Sequence, residues 1–271
     1  MTMQSINYKD LDLKNMKLNE TQGSNSKVYV DGDTCYKIFN PGSISGIYTL
    51  EKKIKAMEGL KINGIILPKD LVIKDNKMAG YSMDYVPNST DLTDHFGSTQ
   101  LVDVHDILVA TAKASHILEE AHENGMLLCD VSFNNVLINR DTGDISICDI
   151  DNCQYQGYKS EYASILTSLY YRRLRCAAYI DENFDRQAML LAFLATIYCK
   201  LISNMEDYDT LSDKIQTLSD LRFVVEEVLY DPRAQVPYLY EFINEDEHFI
   251  IDRNKQLPPE RTRKSNYNPF I

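Results

Sequence analysis

The sequence predicts an α+β protein made of two lobes of unequal size. Two β-hairpin patterns and a single helix occupy the first ninety residues, whereas long apolar or amphipathic helices fill most of the remaining chain. Pro87-Asn88-Ser89 separates the two parts and is typical of a turn-forming break. We therefore expect a small β-rich N-lobe at 1–86, a larger and mainly helical C-lobe at 87–255, and an extended tail at 256–271.

The strand patterns of the first part fall into two hairpins. Residues 27–30 and 34–39 are rich in β-branched and aromatic residues and flank an Asp-Gly-Asp turn. Residues 71–73 and 78–85 flank a Lys-Asp-Asn turn in the same way. Between the two hairpins, residues 50–60 place apolar side chains on one face of a helix. An antiparallel sheet with one helix is therefore expected in the N-lobe.

The second part is predicted to be helical around one further hairpin. Apolar side chains recur at helical spacing over 102–123, and residues 185–201 are apolar on nearly every side, which is typical of a buried helix. Two short apolar strands, 136–138 and 145–148, lie between these helices and flank a Gly-containing turn. One or two further helices are expected within 211–230.

Composition and charge exclude several classes of function. The net charge of −12 leaves no general basic surface for nucleic acid or for an anionic membrane. No apolar run reaches the roughly 20 residues that cross a bilayer, and the N-terminal residues lack the basic and apolar regions of a signal peptide. The six Cys are scattered without metal-ligand spacing. We expect a cytoplasmic protein with reduced thiols, no membrane span and no nucleic-acid partner.

The residues that carry chemistry concentrate around the C-lobe hairpin. Asp130 precedes Asn135 by five residues, and the strand at 136–138 follows at once. Asp149 and Asp151 come directly after the second strand of the same hairpin. Phosphoryl transfer needs an Asp that orients the attacking hydroxyl, together with an Asn and an Asp that hold the metal ions neutralising the triphosphate. The order of these residues therefore predicts a phosphoryl-transfer site.

This arrangement resembles the catalytic and metal-binding loops of the protein kinase superfamily, whose patterns are H-R-D-x-x-x-x-N and D-F-G. Leu128 and Cys129 stand where the first pattern has His and Arg. Ile150 and Asp151 stand where the second has Phe and Gly. The resemblance covers roughly residues 15–245. It implies a two-lobed protein-kinase-like fold and an enzyme that transfers the γ-phosphate of ATP, with Mg²⁺, to a hydroxyl group.

The resemblance implies a role for each of the acidic loop residues. Asp130 corresponds to the residue that accepts or orients the substrate hydroxyl proton, and Asn135 to a ligand of one metal ion. Asp149 corresponds to the main metal ligand. Asp151, two residues later, competes with Asp149 for this role or provides for a second cation. Asp185, which opens the buried helix, resembles the family's structural Asp that supports the catalytic loop from below.

The resemblance also implies nucleotide-binding residues in the N-lobe. Residues 21–28 lie where the family has its glycine-rich loop. Gly23 is the one glycine of that loop present here, and Ser24 and Val28 are further candidates for contact with the nucleotide. Glycine lets backbone N–H groups approach phosphates closely. Lys37 shares its strand face with apolar residues, so if it points inward it needs an anion. In the family this Lys binds the α- and β-phosphates and pairs with a helix Glu; a solvated strand Lys is the alternative.

Two assignments depend on how a helix and a strand are aligned with the family. Glu51 is the candidate for the helix Glu, and shifting the helix by two residues puts Lys53 there instead. The segment that resembles the strand leading into the family's hinge consists of Met83, Asp84, Tyr85 and Val86, followed by a proline. Its extended backbone groups would bond the edge of the adenine ring. An ordinary edge strand that ends at a proline is the alternative.

Three classes of function remain open. Ser132 stands where serine/threonine kinases have a Lys that helps to neutralise the transferring phosphate, and no A-P-E pattern occurs over 152–180. The first class is a kinase that acts on a protein hydroxyl, most simply Ser or Thr, and the joint presence of the four polar site residues favours it. The second is a small-molecule kinase similar to the antibiotic and choline phosphotransferases. The third is a pseudokinase that binds nucleotide or serves as a scaffold, which the degenerate loops favour.

Overall fold

The computed structural model describes residues 3–18, 25–42, 46–97, 101–160, 180–198, 234–242 and 250–252. Three expectations lie outside the described residues: the phosphate-loop residues Gly23 and Ser24, the helices expected at 211–230, and the tail at 256–271. Within the described parts, a sheet-rich N-lobe precedes a mainly helical C-lobe, so the predicted α+β class is confirmed.

The N-lobe is built on one six-stranded sheet. Its strands are β1 (Ser5–Asn7), β2 (Lys17–Leu18), β3 (Ser26–Asp31), β4 (Thr34–Phe39), β5 (Pro68–Lys74) and β6 (Lys77–Asp84). Their order across the sheet is β1-β5-β6-β4-β3-β2. The predicted hairpins are β3–β4 and β5–β6, and β4 pairs with β6 between them. The sequence pattern does not predict β1, which runs parallel to β5 and extends the sheet.

One helix packs on this sheet. The helix α1 (Ile47–Ala56) lies about one turn closer to the N-terminus than predicted. Gly59, with φ of +78°, follows its end in the left-handed conformation that glycine adopts without strain. The buried residues of α1 are Leu50, Lys53 and Ile54, and the two apolar ones join a small cluster with side chains of β5 and β6. The helix therefore turns one lysine toward the protein interior.

The described part of the C-lobe contains three helices and seven short strands. The helices are α2 (Leu92–Gly97), α3 (Val104–Glu123) and α4 (Glu182–Tyr198). The strands are β7 (Ser89–Asp91), β8 (Leu101–Asp103), β9 (Met126–Leu127), β10 (Val136–Asn139), β11 (Ile145–Ile147), β12 (Gln154–Tyr155) and β13 (Ile250–Asp252). β10 pairs with both β7 and β11, whereas β9 pairs with β12 and β8 with β13. The predicted C-lobe hairpin is β10–β11.

Helices α3 and α4 form the centre of the C-lobe. Leu118 of α3 and Met189, Phe193 and Leu194 of α4 are almost completely buried in one large apolar cluster. Burying a side chain of this size contributes about 1.5–3 kcal/mol, so this cluster fixes the position of the N-terminal end of α4 beneath the loops that follow α3. None of the helices in the described residues is long and apolar enough to cross a membrane.

Candidate active site

The loop that precedes Asp130 is held from below by a buried carboxylate. Asp185, at the start of α4, is fully buried and accepts the Leu128 N–H at 2.7 Å and the Cys129 N–H at 2.8 Å. The His122 ring nitrogen Nε2 lies 3.1 Å from the same carboxylate. Hydrogen bonds to a charged acceptor are the stronger kind, and they support a left-handed backbone at Cys129, whose φ is +65°. The expectation that Asp185 is a structural support of this loop is confirmed.

Asp130 lies beyond this support with its carboxylate largely out of solvent. The Asn135 amide donates to the Asp130 main-chain carbonyl at 3.0 Å, and the Asn152 amide donates to the Asp130 carboxylate at 3.1 Å. Burial raises the pKa of this carboxyl; the Asn152 hydrogen bond and the Lys37 charge oppose the rise, and the charge of Asp149 adds to it. The carboxylate is therefore a better proton acceptor than a solvent-exposed Asp.

Asn135 and Asp149 are neighbours at the end of the β10–β11 hairpin. The Cys148 N–H donates to the Asn135 carbonyl at 2.9 Å, which continues the pairing of the two strands. Asp149 then adopts a left-handed backbone with φ of +60°, so the chain turns out of the strand at this residue. Its side chain is 43% exposed. The hairpin therefore presents an amide and an accessible carboxylate at one place.

The oxygen ligands of this site suit a Mg²⁺ ion bound to a nucleotide better than a Mg²⁺ ion bound by protein groups alone. Asn135 and Asp149 carry the oxygen ligands that Mg²⁺ prefers. Among the described residues, no cluster of three or more His, Cys, Asp or Glu could hold a metal ion. Mg²⁺ is commonly bound by one or two carboxylates together with substrate phosphates. The residues thus suit a cation that arrives with a phosphate chain.

Lys37 is the central cation of this site. Its ammonium donates to an oxygen of Asp149 and, at 2.5 Å, to Asp151 Oδ2, and its side chain is 8% exposed. Burial by itself lowers the pKa of this ammonium, but the carboxylates of Asp151 and Asp149 outweigh burial and raise it. Lys37 thus points inward to anions, as the apolar neighbours on its strand face predict, and is not on a solvated face.

Asp151 is engaged at both carboxylate oxygens. Oδ2 accepts from Lys37, and Oδ1 accepts from the Tyr81 hydroxyl at 2.6 Å. Tyr81 is almost fully buried, and burial together with the charges of Asp151 and Asp149 raises the pKa of its hydroxyl. Because its pKa is raised, the Tyr81 hydroxyl keeps its proton and remains a hydrogen-bond donor to Asp151. These contacts suit a partner that holds Lys37 in place, and the metal role expected for Asp151 stays a prediction.

The expected pairing of Glu51 with Lys37 is wrong. The Glu51 carboxylate accepts from Lys55 at 2.6 Å, one turn along α1, where the Lys55 side chain is exposed. Lys53 occupies the inward position, because it shares the buried face of α1 with Leu50. Its ammonium donates to the main-chain carbonyls of Asp151 at 2.6 Å and of Cys153 at 2.8 Å. The alternative alignment, which puts a lysine in place of the helix Glu, is the one observed.

Two of the predicted nucleotide-binding residues share the sheet face of Lys37. Directly paired residues of neighbouring strands point to the same side of a sheet, and Val28 pairs with Lys37 across β3 and β4. Met83 pairs with Cys35, which lies two residues before Lys37 and therefore points the same way. Val28 and Met83 thus lie on either side of the lysine, on the sheet face from which Lys37 reaches Asp149 and Asp151.

The predicted hinge is extended and partly hydrogen-bonded. The Tyr85 N–H donates to the Asp33 carbonyl at 2.9 Å, and the Ser89 hydroxyl donates to the Val86 carbonyl at 2.7 Å. The Asp84 side chain is exposed and forms an ion pair with a lysine of β5. These bonds occupy the Tyr85 N–H and the Val86 carbonyl, and they do not involve the Asp84 carbonyl or the Val86 N–H.

The arrangement of lobes and loops matches solved kinase domains. A crystal structure of the PknI kinase domain from Mycobacterium tuberculosis is similar with a TM-score of 0.60 and 19% identity, and covers 83% of this chain and 91% of its own. A mutant of the same domain gives a TM-score of 0.61 and 20% identity, with coverage of 83% and 90%. This chain has a protein-kinase-like fold.

Comparison of whole structures detects the likeness to kinase domains, whereas comparison of whole sequences does not. No protein-family model matches the sequence, and no curated protein matches it either. The identities of about one residue in five are consistent with a site whose loop residues differ from the common patterns. Two site residues that the sequence did not reveal are Tyr81 and Asn152, which donate to the carboxylates of Asp151 and Asp130. Tyr81 pairs with Lys37 across β4 and β6, a register that the folded sheet reveals and the local sequence does not.

Proposed function

We propose that this protein is an ATP- and Mg²⁺-dependent phosphotransferase that moves the γ-phosphate to a hydroxyl group. One observation carries the proposal: Lys37 of the N-lobe is bonded to Asp149 of the C-lobe, 112 residues away, beside the end of the hairpin that holds Asn135. A scaffold protein gains little from a buried lysine held between carboxylates, since burying charged groups is costly. A site that neutralises a triphosphate requires such charges.

Each residue has a role in the proposed reaction. Lys37 binds the α- and β-phosphates, and the Asp84 carbonyl and Val86 N–H bond the adenine edge. Asn135 and Asp149 hold Mg²⁺, which neutralises the phosphate charge. Asp130 accepts the proton of the attacking hydroxyl, a role that suits a carboxylate whose pKa burial has raised.

The acceptor in this proposal is a Ser or Thr hydroxyl of a protein. A small-molecule hydroxyl is the second candidate, favoured by Ser132, which provides no positive charge two residues after Asp130. Losing one charge at a phosphoryl-transfer site costs about 100- to 1000-fold in rate when nothing replaces it. Transfer to a protein therefore requires another cation near the γ-phosphate, and a basic substrate could bring one.

A reducing compartment such as the cytoplasm suits the thiols of this protein. Cys35, Cys129, Cys148 and Cys153 are all free. Burial raises the pKa of the Cys35 thiol to about 11 and that of Cys148 to about 12, so neither is a reactive thiolate at neutral pH. We accordingly propose a cytoplasmic enzyme in which these four cysteines serve packing.

The test is release of ADP from ATP by the purified protein, with and without Mg²⁺, beside the variants Asp149→Asn and Lys37→Met. We expect turnover that requires Mg²⁺, that Asp149→Asn abolishes and that Lys37→Met strongly weakens. Nucleotide binding without turnover in any condition, including with added protein and small-molecule acceptors, would instead identify a pseudokinase. Full turnover in either variant would contradict the site assignment.

A further inference from the structure

Lys37 needs a carboxylate that remains with it while the proposed function commits Asp149 to Mg²⁺. In the resembled kinases a Glu of the N-lobe helix has this role. Here the Glu51 carboxylate of α1 is bonded to Lys55 at the protein surface. The second carboxylate on the Lys37 ammonium belongs to Asp151, at 2.5 Å. The partner of the lysine therefore comes from the loop that follows β11, and not from the helix.

Asp151 is held in place more firmly than Asp149. Its side chain is 15% exposed, compared with 43% for Asp149. The buried Tyr81 hydroxyl donates to the second carboxylate oxygen of Asp151 at 2.6 Å, and the Lys53 ammonium donates to the main-chain carbonyl of Asp151 at 2.6 Å. The two carboxylates therefore suit different roles. Asp149 faces solvent, where a cation can reach it, whereas Asp151 is fixed between protein donors.

Lys53 replaces an acidic side chain of the family with a buried cation. The residue is 1% exposed, and its ammonium donates to the carbonyls of Asp151 and Cys153, at 2.6 and 2.8 Å. A buried ammonium is costly unless its hydrogen bonds are kept. Since both acceptors belong to the segment after Asp149, moving α1 away from that segment would leave the lysine without them. The helix and the loop are thereby fixed to each other.

We propose that in this protein the carboxylate partner of the kinase lysine comes from the loop after β11, and that the N-lobe helix contributes a lysine that holds this loop. Asp151 positions Lys37 for the nucleotide phosphates, and Lys53 of α1 holds the 151–153 segment that carries Asp151. Both are positioning residues, because they act on the nucleotide through Lys37. The inference rests on the proposed function. It adds that nucleotide binding does not require Glu51, and that Asp149 binds Mg²⁺ without Asp151.

The first test compares neutralising Asp151, which is bonded to Lys37, with neutralising Glu51, which is bonded to Lys55. We expect Asp151→Asn to raise the Kd of a fluorescent ATP analogue and the KM for ATP about 10-fold or more, since a charged partner of Lys37 is lost. The Mg²⁺ concentration that gives half-maximal turnover stays unchanged. Glu51→Gln, the matched control, leaves all three quantities at the wild-type values.

The outcomes separate this inference from the proposed function. An Asp151→Asn variant with wild-type nucleotide affinity overturns the inference, as does one whose main defect is a higher Mg²⁺ requirement, because Asp151 would then be a metal ligand. Loss of affinity in Glu51→Gln overturns it too. If wild-type protein binds the analogue without turnover, the proposed transferase activity is wrong. The ratio of the Kd of Asp151→Asn to that of wild type then still decides the role of Asp151. Wild-type protein that binds no nucleotide overturns both.

The second test addresses Lys53 with a readout that needs no catalysis. We expect Lys53→Met to speed amide hydrogen exchange of residues 149–153 about 10-fold and to weaken binding of the ATP analogue, whereas Lys53→Arg keeps both close to wild type. Lys55→Met, an exposed lysine of the same helix, is the control. Unchanged exchange and unchanged affinity in Lys53→Met would overturn the proposed role of the helix lysine.

Discussion

Asp130 must be ionised to accept a proton, although its surroundings favour the neutral acid. Burial raises the pKa of this carboxyl, and the Asn152 amide at 3.1 Å acts in the opposite direction by stabilising the charged form. We expect kcat/KM to rise with pH through this raised pKa. Asn152→Ala removes the stabilising hydrogen bond and should shift the acid limb of the profile to higher pH. A profile of kcat/KM against pH measures the shift.

The control for that profile is Asn15→Ala, because Asn15 bonds Asp12 far from the site in an exposed position. Its acid limb should coincide with that of the wild type. An unshifted limb in Asn152→Ala would mean that another group limits the rate at low pH, and Asp130 would then lose its assignment as the proton acceptor.

Removing the charge of Asp130 should stabilise the protein while it ends turnover. Because the pKa of this group is raised in the folded state, the folded protein favours the protonated form, and stability falls as pH rises from the unfolded pKa through the folded one. Asp130→Asn has no charge to bury and its side-chain carbonyl can still accept from Asn152. We therefore expect a higher Tm than wild type at pH 7 and a difference that shrinks toward pH 4, measured by calorimetry. An equal or lower Tm at pH 7 would contradict the pKa direction.

The close pairing of strands β4 and β6 depends on Gly80, which has no side chain to collide with the neighbouring strand. A Cβ at Gly80 would overlap the main-chain carbonyl oxygen of Lys37, and backbone atoms cannot move aside without breaking the strand pairing. Gly80→Ala should lower the free energy of unfolding by about 1–3 kcal/mol, the usual cost of overpacking, and should displace Lys37. Urea denaturation measures the first effect, and the KM for ATP measures the second.

Gly97→Ala is the matched control for that substitution. Gly97 ends α2, and a Cβ there has no atom within 4 Å, so the change should leave the unfolding free energy and the KM nearly unaltered. A Gly80→Ala variant as stable as Gly97→Ala would show that the two strands adjust their spacing more easily than the structure implies.

The elements differ in how far the sequence predicts them. The two N-lobe hairpins have turn chemistry and β-rich strands in the local sequence, and the structure confirms both. The position of Lys53 was also predictable, since Leu50, Lys53 and Ile54 follow a helical spacing and share the buried face. We instead expected Glu51 to face Lys37 by analogy with the family. A stripe of apolar residues decides the orientation of a helix more reliably than a family pattern does.

Other features depend on contacts between distant parts of the chain. β1 is a short strand without a distinctive pattern, and it exists because β5 offers an open edge. The bonds of Asp151 to Lys37 and Tyr81 join residues at least 70 positions apart. No local sequence signal reports such a pairing, so the sequence could not distinguish a carboxylate that holds a lysine from one that binds a metal.

At the scale of the whole molecule, polar and charged groups of the N-lobe contact the loop that follows β11 in the C-lobe. Lys37 and Tyr81 of the sheet and Lys53 of α1 all contact the short segment 149–153, and Asp149 in it is the most accessible of these groups. Nucleotide bound between the lobes would therefore interact with both at once. A ligand of this kind should stabilise the complete fold and not one lobe alone.

Nucleotide bound between the lobes should raise the melting temperature of the protein. At about 100 times its Kd, a ligand that binds only the folded state adds about 2.7 kcal/mol, which for a chain of this size corresponds to a Tm increase of roughly 5–10 °C. We expect this increase with ATP and Mg²⁺ together for wild-type protein, and little or none for Lys37→Met, which lacks the cation that we propose binds the phosphates. Lys77→Met removes an exposed lysine at the start of β6 and should keep the full shift. An equal shift in Lys37→Met and Lys77→Met would mean that nucleotide binds elsewhere on the protein, because Lys37 lies where the sheet, α1 and the segment 149–153 come together.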